Sequence, residues 1–158
     1  MIKTDTHLYF YGGQAIYSNF LPCKLTNGAV DFTTTEQAFM YYKALFMGDN
    51  STALKILNTA HPKDCKQLGR EIKFYDNSLW SDIRFGTMVY VNRLKFTQNA
   101  AFTKELIETG DRILVEASPY DKIWGIGLGL DNPDIYNQGK WQGQNLLGKA
   151  LMEVRKSL

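Results

Sequence analysis

The 158-residue sequence has no run approaching the roughly 20 uninterrupted apolar residues that a membrane-spanning helix requires. Its opening, Met1-Ile2-Lys3-Thr4-Asp5, also lacks the apolar stretch of a secretion signal. Both absences point to a soluble, cytoplasmic protein with no membrane partner. Cysteine is scarce, and Cys23 and Cys65 are too few for a disulfide framework. His61 and Cys65 lie four apart, as metal ligands sometimes do. A structural zinc site would nevertheless need both histidines and both cysteines, gathered from distant segments, so neither a metal nor another cofactor is expected. A strong charge excess is missing too: at +2 the net charge gives no general attraction to nucleic acid, which would require a local basic patch. Internal repeats, low-complexity tracts and linkers are absent. The length suits one domain over residues 1–158, burying about two-thirds of the surface its unfolded chain exposes.

What is present is a patterned, aromatic-rich chain. Residues 8–11 suit a short strand broken by Gly12-Gly13. Residues 23–26 and 29–32 flank Asn27-Gly28, a signal for a hairpin closed by a type I′ turn. Helical spacing follows from Thr33–Thr35 to Phe46, with Ala38, Met40, Tyr41, Ala44 and Leu45 as its apolar stripe and Gly48 as its stop. Further helices are expected at about 51–59, from Pro62 onward, and over Ser78–Phe96, where Leu79, Ile83, Met88, Val91 and Leu94 recur at roughly helical spacing and Gly86 weakens the pattern. A helix at 100–109 stops at Gly110, residues 112–117 alternate like a strand, and a last amphipathic helix covers about 144–156. Between them, residues 118–143 lack periodicity and form a long ordered loop carrying Trp124 and Trp141, a length usually reserved for function. The expected class is α+β, predominantly helical, with a few short strands.

Two glycine-rich stretches imitate phosphate-binding motifs. Gly143–Lys149 fits GxxxxGK, but Ala150 stands where Ser or Thr belongs, and no strand precedes it. Trp124-Gly-Ile-Gly-Leu-Gly129 lacks the GxGxxG spacing and opens no helix, so it reads as a tight turn that permits close backbone approach. No GxSxG motif announces a serine hydrolase.

Glu36 and Lys43 are seven apart, so one helix would display both on one face, a carboxylate and an amine suited to acid–base or nucleophilic work. Glu36 equally fits the end of a capping box, Thr33-Thr-Thr-Glu36, and Lys43 equally suits a solvated surface; the residues alone leave both readings open. Asp121 and Trp124, at the start of the long loop, combine a carboxylate with an indole as a flat ring would require, or else cap a turn and plug the core. Trp80 has the same two readings.

Taken together, Tyr17-Ser-Asn19-Phe20, Thr35-Glu-Gln-Ala-Phe-Met-Tyr-Tyr-Lys43, Leu68-Gly-Arg70, Trp80, Lys95-Phe-Thr-Gln-Asn99, Glu108-Thr-Gly-Asp111, Leu114-Val-Glu-Ala-Ser-Pro119, Asp121-x-x-Trp-Gly-Ile-Gly127 and Trp141-x-Gly-x-Asn145 resemble the successive blocks of the YbiA-like (NADAR) family, in order, over about residues 10–155. The resemblance implies a single YbiA-like domain and a metal-free N-glycosidase. It implies as substrates small ribosyl phosphates, of the ribosylaminouracil phosphate type met in riboflavin biosynthesis, or ADP-ribose attached to a nucleobase. It places functional roles on Glu36, Lys43 and Asp121 as catalytic groups and on Trp80 and Trp124 as stacking groups. Asn19 and Phe20 are binding candidates from their block. One departure is visible: Gln37 stands where the family commonly has His.

Breaking a ribosyl C–N bond builds positive charge on the sugar and negative charge on the departing base, which carboxylates and a proton donor would balance. The amine of Lys43 has a second option, a Schiff base with a ring-opened sugar. Arg70, Arg84 and Lys95 are candidates for the substrate's phosphate, with surface solvation or helix capping as the alternative for each. Two competing functions share these residues. One is a non-catalytic nucleotide or ADP-ribose binder; the other is an enzyme acting on ADP-ribosylated nucleic acid, whose activity would depend steeply on salt.

Overall fold

The computed structural model describes residues 1–158. The elements run β1 (Ile2–Lys3), β2 (His7–Phe10), β3 (Leu25–Thr26), β4 (Asp31–Phe32), α1 (Thr35–Phe46), α2 (Asn50–Leu57), α3 (Pro62–Arg70), α4 (Asn77–Gln98), α5 (Ala100–Glu108), β5 (Ile113–Glu116) and α6 (Leu146–Lys156), with short 3-10 turns at Pro133–Tyr136 and Gln138–Lys140. This is an α+β fold in which helix predominates. No helix is long and apolar enough to cross a membrane. Two compact units form, one from residues 1–18 and 100–158, the other from residues 19–99.

In the first unit β2 is the middle strand, antiparallel to β1 and parallel to β5, with His7 opposite Ile113 and Phe10 opposite Glu116. Tyr9, Val115, Ala117, Ile126, Leu128 and Ile135 make its core, and each fully buried aliphatic side chain contributes about 1.5–3 kcal/mol. The long loop is ordered by its own backbone bonds: Gln142 N–H donates to Ile126 O at 2.8 Å and Asn145 N–H to Gly125 O at 3.0 Å. Its glycines permit this closeness, since a Cβ on Gly143 would overlap the Gly125 carbonyl. Gly148 similarly lets α6 lie on the Leu114 carbonyl, so the GxxxxGK stretch serves packing. Asn145, left-handed at φ 54°, ties α6 to β5 by accepting from Glu116 N–H and donating to Leu114 O. Trp141 packs against the core and donates its indole N–H to Ile135 O at 2.7 Å.

In the second unit α1 is central, packed against α2, α3 and α4. The β3–β4 hairpin forms where the pattern places it, but not through a type I′ turn. Only Gly28 of the Asn-Gly pair has positive φ, and the connection spans residues 27–30, held by Asn27 Oδ1 accepting from the amides of Ala29 and Val30. Thr26 Oγ1 closes the same loop on Val30 O, which makes the longer form self-sufficient. Helix α4 also differs from its simple pattern. Met88, Val91, Asn92, Lys95 and Phe96 are buried on one face, whereas Leu79 and Tyr90 are each 40% exposed.

Candidate active site

Helix α1 begins with Thr34 as N-cap, whose Oγ1 accepts from Gln37 N–H at 3.0 Å. The third helical residue is therefore Gln37, and its side chain completes the cap by accepting from Thr33 N–H at 2.8 Å. The amide of Gln37 simultaneously donates to the carbonyls of Ile56 and Thr59, closing the C-terminal end of α2. Gln37, not Glu36, carries the capping role. The position where the resemblance leads one to expect a histidine is thus filled here by an anchored structural amide.

Glu36 is 6% exposed, and its backbone N–H donates to Asn19 O at 3.0 Å. Asn19 is itself buried: its Nδ2 donates to Met88 Sδ at 3.2 Å, and its Oδ1 accepts from Asn92 at 3.4 Å. It holds the start of α1 against α4, a positioning role. Phe20 beside it is half-buried.

Two helical turns beyond Glu36, Lys43 is partly buried, and its Nζ donates to Gly69 O at 3.0 Å. The ammonium lies 5.2 Å from the ring centre of Tyr75 and 5.6 Å from that of Trp80. Burial lowers the pKa of this amine; the Arg70 guanidinium lowers it too, and the Glu36 carboxylate opposes both. The result is an amine closer to its neutral, nucleophilic form than an ordinary lysine, with a carboxylate and a guanidinium in electrostatic reach. Cys65 reports the same carboxylate: burial, then Glu36, push its thiol up to about 11.

Trp80 is 6% exposed and packs on Phe39 with ring centres 5.2 Å apart, so one of its surfaces is structural while its ring also faces the amine. Gly69 allows α3 to reach Lys43, because a Cβ there would overlap the sulfur of Met40. Tyr75 went unmarked by the sequence pattern. Its only local signal is geometric: the preceding Phe74 adopts φ 61°, which a bulky residue rarely does, in the segment between α3 and α4.

The structure therefore brings Glu36, Lys43, Trp80 and Arg70 together within one unit. Arg70 is exposed and donates to Gln67 Oε1 at 3.3 Å. Arg84 is half-buried on α4 with no ion pair. Lys95 has no exposed surface, so its charge is not offered to a substrate's phosphate; it lies near Cys23, and burial pushes it down to about 8. In the other unit, Asp121 Oδ1 accepts from the amides of Ile123 at 2.9 Å and Trp124 at 2.8 Å, capping the turn that sets the half-buried Trp124. His61 caps α3 through Nδ1, and the Cys65 thiol donates to Thr59 O.

Comparison with known proteins shows the family and the fold. The NADAR domain family pattern matches residues 9–158. An N-glycosidase of Acanthamoeba polyphaga mimivirus is 37% identical over 98% of both chains. A riboflavin biosynthesis protein of Vibrio vulnificus is 32% identical over 96% of this chain and 38% of its own length. The NMR structure of the Escherichia coli protein YbiA superposes with a TM-score of 0.79 at 26% identity, over 99% of this chain and 86% of that one.

Proposed function

Because the chain belongs to the NADAR domain family, a group whose curated relatives include N-glycosidases, and is accordingly a hydrolase of N-glycosyl compounds, we propose that its substrate is a ribosyl phosphate whose base is released at the Glu36–Lys43 pair. The observation that carries this reading is the Lys43 amine, which burial holds below its ordinary pKa, with the buried Glu36 carboxylate in electrostatic reach and the Tyr75 and Trp80 ring centres 5.2 and 5.6 Å away. Glu36 stabilises positive charge developing on the sugar or directs water to it. Lys43 assists departure of the base, or attacks C1′ of the imine formed when the sugar ring opens, expelling the base as its amine and leaving a lysine Schiff base that water hydrolyses to free sugar and free Lys43. Tyr75 and Trp80 offer faces to a planar base, and such stacking is worth roughly 1–3 kcal/mol per base. Arg70, exposed and close enough to depress Lys43, suits the phosphate better than Arg84 or Lys95. The resemblance adds Asp121 and Trp124 to the same reaction.

A ribosylaminouracil phosphate is the substrate type we favour, on the kinship with the Vibrio riboflavin biosynthesis protein. Incubation of the protein with that compound and, in parallel, with DNA carrying ADP-ribosylated guanine should release free base from the former. Glu36→Gln and Asp121→Asn should each lower that release by roughly 10²–10⁴-fold, the usual range for a lost acid–base group. Unchanged turnover in both variants would overturn the assignment of the chemistry to these carboxylates, whereas no release from either substrate would leave a binding module without catalysis. Release from the DNA alone would move the proposal to ADP-ribosyl nucleobases.

A further inference from the structure

Helix α4 carries apolar residues on two opposite faces. Its buried face includes Met88, Val91 and Phe96. On the other side Asp76, Leu79, Ile83, Gly86, Tyr90 and Arg93 follow one another at spacings of three, four, three, four and three, a single stripe along about 25 Å of helix. Most of this stripe borders an open groove of about 610 Å³ between α4 and α1, walled on the α1 side by Tyr42 and by Phe46, which is 48% exposed. Gly86 lies in that groove. Glycine weakens a helix interior, and here packing does not require it: a Cβ at this position would meet nothing within 4 Å. A glycine in mid-helix, facing outward in an apolar groove, is what close approach of another helix needs.

The stripe is also self-complementary. Laid antiparallel on a second copy about a two-fold axis midway between residues 84 and 85, Leu79 meets Tyr90, Ile83 meets the open space at Gly86, and Asp82 meets Thr87. At the two ends Asp76 meets Arg93, opposite charges that take part in no ion pair within the chain. No like charges face each other in this register. We propose that the α1–α4 groove is the interface of a symmetric homodimer, with α4 of each copy seated in the groove of the other and Ile83 filling the place left by Gly86. The exposed apolar residues of this face are then covered by identical residues of the second copy.

Sedimentation equilibrium of the full chain across the micromolar range tests this. The mass should rise from 18.0 kDa toward twice that value with concentration. Ile83→Glu should hold it at the single-chain mass while thermal melting shows the variant folded. Arg93→Asp, a change at an exposed residue, should weaken dimerisation roughly tenfold through two lost pairs and two new repulsions. Adding Asp76→Asn, which keeps the oxygen that caps Leu79 N–H, removes the two repulsions but restores no ion pair, and should recover about half of that loss on a logarithmic scale. A wild-type chain that stays at 18.0 kDa throughout overturns the proposal, as does a dimer indifferent to both Ile83→Glu and Arg93→Asp, or a groove covered by an unrelated partner while the chain itself remains single.

Discussion

Adjacent residues Glu36 and Gln37 should fail in opposite ways when replaced. Gln37→Ala removes an acceptor for Thr33 N–H and the donor shared by the carbonyls of Ile56, Leu57 and Thr59. At least two polar groups in a largely buried setting lose their partner, and leaving such a group unsatisfied costs about 1–3 kcal/mol each. A total loss of about 2–6 kcal/mol follows, which for a domain of this length lowers Tm by about 4–24 °C. Glu36→Gln, nearly identical in volume, should shift Tm by far less while removing most of the activity. Calorimetry and base-release rates on the two variants separate the roles. If Gln37→Ala melted like the wild type while Glu36→Gln unfolded early, the assignment of the cap to Gln37 and of chemistry to Glu36 would be reversed.

Other consequences concern pH and packing. Lys95, pushed down by burial to about 8 from 10.5, binds fewer protons folded than unfolded between those values, so its contribution makes stability rise as pH climbs from about 8 to 10.5. Urea melts of Lys95→Met against wild type should show that rise in the wild type only. Asp49 behaves oppositely: hydrogen bonds from Thr52 and from the Lys73 amide hold its carboxyl at about 2 rather than 3.8, so its stabilisation is complete above that ordinary value and fades as pH falls toward about 2. Asp49→Ala should be less stable than wild type at neutral pH, with the gap closing in acid. Gly148→Ala should destabilise strongly, because its Cβ would run into the Leu114 carbonyl rather than a yielding side chain, and a melting curve would register it.

The periodic elements were legible from sequence because local spacing decides them: α1 starts and ends within the stretch that Thr33–Thr35 and Gly48 delimit, and the hairpin sits around Asn27-Gly28. What could not be read is non-local. The parallel pairing of β2 with β5 joins segments about a hundred residues apart, and β1 has only two residues. In α4 the stripe of Leu79 and Ile83 and that of Met88 and Val91 lie on different faces, a distinction that spacing blurs when both faces are apolar. For the site, the seven-residue interval between Glu36 and Lys43 was visible, but that Gln37 and not Glu36 caps the helix could be read only from the bonds of Gln37. Tyr75 entered through the path of the chain after α3, and Lys95 left the list of phosphate ligands through its burial; neither property is written in residue type.

The reactivity assigned to this protein depends on the state of one amine. Titration of Lys43 by NMR, with the lysine side chains isotope-labelled and Lys43→Arg used to assign its resonance, should give a pKa below the ordinary 10.5, lower still in Glu36→Gln and higher in Arg70→Gln. A Lys43 that titrates at or above 10.5, indifferent to both substitutions, would contradict the account.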